Sequence, residues 1–177
     1  VRPRSHELLK EVNTKNGKKK VWCTFSHDQI DYDFTNLKFF EEIIKLIIFF
    51  IKKNISFFRL DAIAYIYKQS GTLCINHEKT HKFVKILRLI NDIMAKNSTL
   101  ITETNLPNQE NLSYFGNSNE ANWIYNFSLP PLILYSFFFE NSKILRRWNM
   151  TMPPALEETS YINFLASHDG IGLRPLE

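Results

Sequence analysis

Three acidic residues, Asp61, Glu103 and Asp169, each follow a short β-prone run, and Arg59 stands two positions before the first of them. Side chains on a strand alternate with period two, so Arg59 and Asp61 share one face. Where parallel strands are linked by helices, the C-terminal strand ends and their loops converge around one mouth, and acidic groups placed there meet from different strands. Convergent carboxyls repel one another, which raises the pKa of at least one and keeps it protonated near neutral pH. That division is what acid-assisted glycosyl transfer needs. An ionised carboxylate attacks the anomeric carbon; a protonated one donates to the leaving oxygen and then acts as base for the incoming acceptor. Arg59 is placed to hold the nucleophile ionised and oriented. A lone Asp at a strand end more often caps a helix, and a lone pair such as His168-Asp169 is more often a structural hydrogen bond. The reading rests on all three occurring in strand order.

The elements that must position these groups alternate between helical and extended periodicity. Residues 1–34 read as irregular and polar, with Asn13 to Lys20 as an exposed turn carrying four lysines. From Asn36, placed as an N-cap, Phe40, Ile43, Ile44, Ile47, Ile48 and Ile51 recur at helical spacing up to Asn54. Residues 55–62 read as a strand. Phe83, Ile86, Leu87, Ile90 and Ile93 mark a second helix, and Thr99 to Thr104 a second strand ending at Glu103. Trp123 to Phe127 leads through Pro130-Pro131 into a helix expected to reach Trp148, and Tyr161 to Ala166 runs into Ser167-His168-Asp169. The order helix, strand, helix, strand, short link, strand, helix, strand predicts successive right-handed β/α units and a parallel sheet.

Composition narrows the class. The chain has 177 residues, 44% hydrophobic and 23% charged, which are globular proportions. A net charge of +4 is small and scattered, and the lysine run lacks interleaved aromatics, so no nucleic-acid partner is expected. Cys23 and Cys74, 51 residues apart, form neither a disulfide framework nor a zinc knuckle, and a reducing, cytoplasmic setting is expected. The most apolar stretch, Ile43 to Ile51, contains Lys45 and is well short of the roughly 20 apolar residues of a spanning helix, so no membrane role is expected. No phosphate-cradling glycine loop, nucleotide fingerprint or metal-ligating His/Cys cluster occurs, so neither cofactor nor metal is expected.

Three segments resemble sequence regions of glycoside hydrolase family 13, the α-amylase family: Phe58-Arg-Leu-Asp-Ala62, Thr102-Glu-Thr-Asn105 and Asn163-Phe-Leu-Ala-Ser-His-Asp169. The resemblance implies a nucleophile at Asp61 supported by Arg59, a general acid/base at Glu103, and at Asp169, assisted by His168, a group stabilising the distorted sugar. The wider wording resembles the sucrose phosphorylase branch, which acts on sucrose, sucrose 6-phosphate, glucosylglycerol and glucosylglycerate. It includes Arg2-Pro-Arg4, Trp22-x-Thr-Phe-Ser26 with Asp28-Gln-x-Asp31, Asp61-Ala-Ile-Ala-Tyr65, Lys68 with Gly71-Thr72, Tyr114-Phe-Gly116, Tyr125 to Pro131 and Ala166 to Gly172. Ser167 stands where many α-amylases have Asn and agrees with that branch.

The implied fold is α/β, a partial TIM (β/α)8 barrel comprising about strands four to seven, with residues 1–34 as the end of an inserted B domain and linker and 35–177 as barrel. A complete barrel needs roughly 250 residues, so the chain alone is expected to be inactive. The implied activity is α-retaining double displacement: phosphorolysis of sucrose or a related α-glucoside by inorganic phosphate to α-glucose 1-phosphate. The alternatives are an α-glucosidase or transglucosidase on the same scaffold, or an incomplete, truncated remnant. Tyr65 and Phe115 are expected to line the sugar site, since flat rings pack against pyranose faces, and Arg174 is a candidate phosphate contact.

Overall fold

The computed structural model describes residues 3–95, 98–169 and 171; Arg174 lies outside them. The chain opens with a hairpin, β1 (Leu9–Thr14) and β2 (Gly17–Trp22), paired antiparallel with Thr14 opposite Gly17. Gly17 sits at φ +87°, the left-handed conformation that closes the turn after Lys15-Asn16. The lysine run expected to be a plain turn is thus a turn together with most of β2. Both strands are largely exposed, so no alternation of apolar and polar residues betrays them.

The remaining elements are α1 (Leu37–Lys52), β3 (Phe57–Leu60), α2 (Glu78–Met94), β4 (Thr99–Thr102), α3 (Asn108–Leu112), β5 (Trp123–Tyr125), α4 (Leu129–Phe138), α5 (Lys143–Thr151) and β6 (Ser160–Ile162). Asn36 caps α1 by accepting from the Lys38 N–H at 3.0 Å. At its other end Asn54 turns left-handed (φ +61°) while Ile55 N–H donates to Phe50 O, so the last carbonyls are satisfied. The single helix expected from Pro130 to Trp148 is two helices. Glu140 takes φ +47° and Asn141 N–H closes back onto Ser136 O, after which Asn141 Oδ1 caps α5 through Lys143 N–H. The break is made by hydrogen bonds rather than by glycine or proline.

Strands β3, β4, β5 and β6 lie side by side in that order, all parallel. The register pairs Arg59 with Ile101 and Ile101 with Trp123, so one face carries Arg59, Ile101 and Trp123 and the other carries Phe58, Leu100 and Ile124, which are buried under the helices. There they join Ile51, Phe83, Val84, Leu87 and Tyr114 in one core. Phe83 is packed edge-on by Phe34 and Phe40 at 5.3 and 5.2 Å, which ties the residues ahead of α1 and α1 itself to α2. No helix among the described residues is long and apolar enough to cross a membrane.

Helix α2 offers a direct test of this packing. Leu87 is 1% exposed and Leu89 57%. Leu87→Ala is expected to lower the unfolding free energy by about 2–5 kcal/mol through lost contacts and a residual cavity, while Leu89→Ala changes it by about 0.5 kcal/mol or less. Urea titration of the two variants checks the contrast.

Candidate active site

The strand register builds the site. One step beyond the last β3–β4 pair, Leu60 with Thr102, the chain carries Asp61 on one strand and Glu103 on the next, and Glu103 N–H continues the ladder to Leu60 O at 3.1 Å. Directly after Asp61 the backbone turns left-handed at Ala62 (φ +46°) and enters a single 3-10 turn, Ile63–Tyr65. This turn aims the Ala62 N–H at the neighbouring strand end, where it donates to Glu103 Oε2 at 2.8 Å. One backbone hydrogen bond therefore couples the turn of the candidate nucleophile to the candidate acid.

Arg59 connects the remaining carboxyls. Its guanidinium lies 3.2 Å from Asp61 Oδ1 through Nη1 and 3.2 Å from Asp169 Oδ2 through Nη2, and it rests over the Tyr125 ring at 5.6 Å from the centroid. His168 Nε2 also lies 2.9 Å from Asp169 Oδ2, with the His168 side chain 81% exposed. The sequence placed Asp169 at a strand end running to Ala166; β6 stops at Ile162, and Asp169 reaches the site from an irregular segment that follows.

The environments of the carboxyls differ. Glu103 is 7% exposed, whereas the Asp61 side chain is 69% exposed. Burial pushes the Glu103 carboxyl above its ordinary value; the Ala62 N–H and Arg59 pull it partly back, and the charges of Asp61 and Asp169 push it up again. A protonated Glu103 beside an Asp61 held by a guanidinium can supply a proton and a nucleophile at one place.

A cleft of about 840 Å³ opens over these groups, lined by Asp61, Glu103 and Asp169 and also by Pro3, Arg4, Phe25 and Asp31. Tyr65 lines it, packed edge-on against Phe25 at 5.2 Å, and burial followed by the Glu103 charge raises its hydroxyl pKa. Phe115 does not line it. Expected at the sugar site, it lies in the core, edge-on to Tyr161 at 5.4 Å, because the link after α3 turns its ring under the sheet. Three further contributors went unassigned in the sequence. Tyr125 carries Arg59, and Asp31 forms an ion pair with Lys68 Nζ at 2.9 Å and accepts from the Thr24 N–H at 3.2 Å. Lys68 also donates to Tyr65 O, so this pair ties the residues after the hairpin to the Asp61 turn. All three fell within the quoted branch wording, which was the only signal for them. No group of three or more His, Cys, Asp and Glu side chains among the described residues is arranged to hold a metal ion.

Residues 12–170 match the family model described as alpha amylase, catalytic domain. The chain belongs to the alpha-amylase family. Among its curated relatives are the glucosylglycerate phosphorylase of Spirochaeta thermophila, 44% identical over 98% of this chain and 30% of that protein, and the glucosylglycerate phosphorylase of Escherichia coli, 41% identical over 99% of this chain and 32% of that protein. The chain spans about a third of the length of these relatives. The crystal structure of sucrose 6F-phosphate phosphorylase from Thermoanaerobacter thermosaccharolyticum superposes with a TM-score of 0.80 at 23% identity, covering 97% of this chain and 34% of that one; the likeness is one of fold. The four parallel strands are thus a section of an alpha-amylase-family (β/α)8 barrel.

The electrostatics of this section predict a specific response. Arg59 lowers the Glu103 pKa, so Arg59→Gln should move the Glu103 titration to higher pH, extending the range over which the carboxyl stays protonated. Carbon-13 carboxyl NMR of the full-length protein reads it; a midpoint that stays put or falls contradicts the assigned charge balance.

Proposed function

We propose that this chain carries the reacting carboxyls of an α-retaining glycoside phosphorylase that transfers glucose from a glucosylglycerate-type α-glucoside to inorganic phosphate. The observation that supports it best is the unequal pair joined through one turn: buried Glu103, bonded to the Ala62 N–H, beside exposed Asp61, paired with Arg59. In the first step an Asp61 carboxylate oxygen attacks the anomeric carbon, the bond to the leaving oxygen breaks, and Glu103 passes its proton to that oxygen. A β-glucosyl ester on Asp61 results. In the second step a phosphate oxygen attacks the same carbon from the vacated face, Glu103 takes the phosphate proton, and Asp61 is released. Two inversions leave α-glucose 1-phosphate.

In this reading Asp169 accepts hydrogen bonds from sugar hydroxyls, with His168 as its neighbour, and Tyr65 covers one face of the ring. The relatives at 41% and 44% identity, both glucosylglycerate phosphorylases, support a glycerate leaving group and phosphate as acceptor. The free thiols of Cys23 and Cys74 suit a cytoplasmic setting. Hydrolysis or transglucosylation on the same carboxyls differs only in which acceptor reaches the glucosyl ester.

In the full-length protein, incubation of glucosylglycerate with phosphate should release glucose 1-phosphate, and Asp61→Asn and Glu103→Gln should each lower the rate by about 100-fold or more. Free glucose formed at equal rate with and without phosphate assigns a hydrolase instead. The kcat/KM profile should fall at high pH as Glu103 deprotonates, and Glu103→Gln should abolish that limb.

A further inference from the structure

A polar chain, buried at Glu120 and half-buried at His81 and Asn76, reaches the turn after Asp61 from side chains that do not line the cleft. Glu120, 2% exposed, sits in the link between α3 and β5, and its Oε2 lies 2.7 Å from His81 Nδ1 in the first turns of α2. The other ring nitrogen, His81 Nε2, lies 3.0 Å from Asn76 Oδ1. The backbone N–H of Asn76 donates in turn to Ala64 O at 2.9 Å. Ala64 is in the 3-10 turn that begins at Ala62, so the chain ends two residues from the N–H that holds Glu103.

Each link is held from more than one side. The His81 ring lies against Tyr114 with centroids 4.5 Å apart. Lys85 Nζ lies 3.5 Å from Glu120 Oε1, and Arg88 Nη1 donates to the Glu120 backbone oxygen at 3.5 Å. A Cβ at Gly116, which has φ +56°, would meet Glu120 Cγ and Oε1 at 2.9 Å, so only glycine leaves room for this carboxylate. Asn76 itself is left-handed (φ +49°), and its amide nitrogen points to Glu110 Oε2 at 3.4 Å. A buried ionic group of this kind is costly unless fully partnered, and this one is partnered along a line that leads to the turn.

We propose that Glu120, His81 and Asn76 are positioning residues for glycosyl transfer, acting through Ala64 to fix the turn that presents the Ala62 N–H to Glu103. The inference rests on the assignment of Asp61 and Glu103 above. None of the three lines the cleft, so none touches substrate. Their action is to keep the distance between turn and acid constant, and a small loss of that alignment is enough to slow a reaction that needs near-attack geometry.

The test uses the full-length protein with two readouts, of which the first needs no activity. Asn76→Gly keeps the left-handed backbone and its N–H but removes the amide that His81 and Glu110 hold, without stranding a buried charge. Since the Ala62 hydrogen bond lowers the Glu103 pKa, a loosened turn should move the carbon-13 titration of Glu103 to higher pH and speed amide hydrogen exchange at Ala62. In turnover, kcat should fall about tenfold with KM changed less than about twofold. His81→Leu should act in the same direction, and His81→Gln, whose amide can again face Asn76, should recover part of the loss. Folded Asn76→Gly protein with the Glu103 titration and Ala62 exchange of the unaltered protein overturns the proposal. Absence of glycosyl transfer in the unaltered protein overturns the catalytic assignment instead, and the NMR result still decides this one.

Discussion

Three carboxyl groups share one guanidinium. Arg59 reaches Asp61 with one nitrogen and Asp169 with another, and Glu103 feels the same charge without a direct ion pair. Burial makes the ionised form of Glu103 more costly still. Burial and the neighbouring aspartate charges together favour the protonated form of Glu103 more than water does. The proposed roles use this difference, because a neutral carboxyl can give a proton and an ionised one can attack carbon. Arg59 is fixed in turn by its place in the β3 ladder and by the Tyr125 ring beneath it.

The sheet delivers those groups, and the loops finish the work. β3 and β4 pair up to their last residues, so Asp61 and Glu103 inherit a rigid spacing from backbone hydrogen bonds. Asp169 inherits no such spacing; it is set by its contacts with Arg59 and His168. Part of the cleft lining comes from residues near the start of the chain and is joined to the turn after Asp61 through Asp31 and Lys68. Parts far apart in sequence meet at the 62–68 segment, which answers both to the cleft and to the Glu120–His81–Asn76 chain.

Residues next to regular strands were legible from sequence because period-two alternation fixes which side they face. Arg59, Asp61 and Glu103 are of this kind, and so was the order of helices and parallel strands. Legibility declined with distance from a ladder. Asp169 was recognised by its wording, while the strand before it was drawn four residues too long. Phe115 was misplaced because an aromatic in a link between elements packs under the sheet or lines the cleft with no difference in local pattern. The hairpin was invisible because a ribbon exposed on both faces carries no alternation, and the break at Glu140 because hydrogen bonds, not residue type, make it. The contacts of Glu120 with His81 span 39 positions, and nothing local to either residue announces them.

Ala62 carries a cost that its place explains. An alanine in the left-handed region is less comfortable there by about 1–2 kcal/mol than in its ordinary conformations, and glycine would relieve the strain. Glycine would also free the turn to sample conformers in which its N–H faces elsewhere. A laboratory selection for heat resistance alone, blind to turnover, would thus have a ready substitution at this position that leads away from catalysis. The methyl group of one small residue marks where the interests of folding and of chemistry diverge.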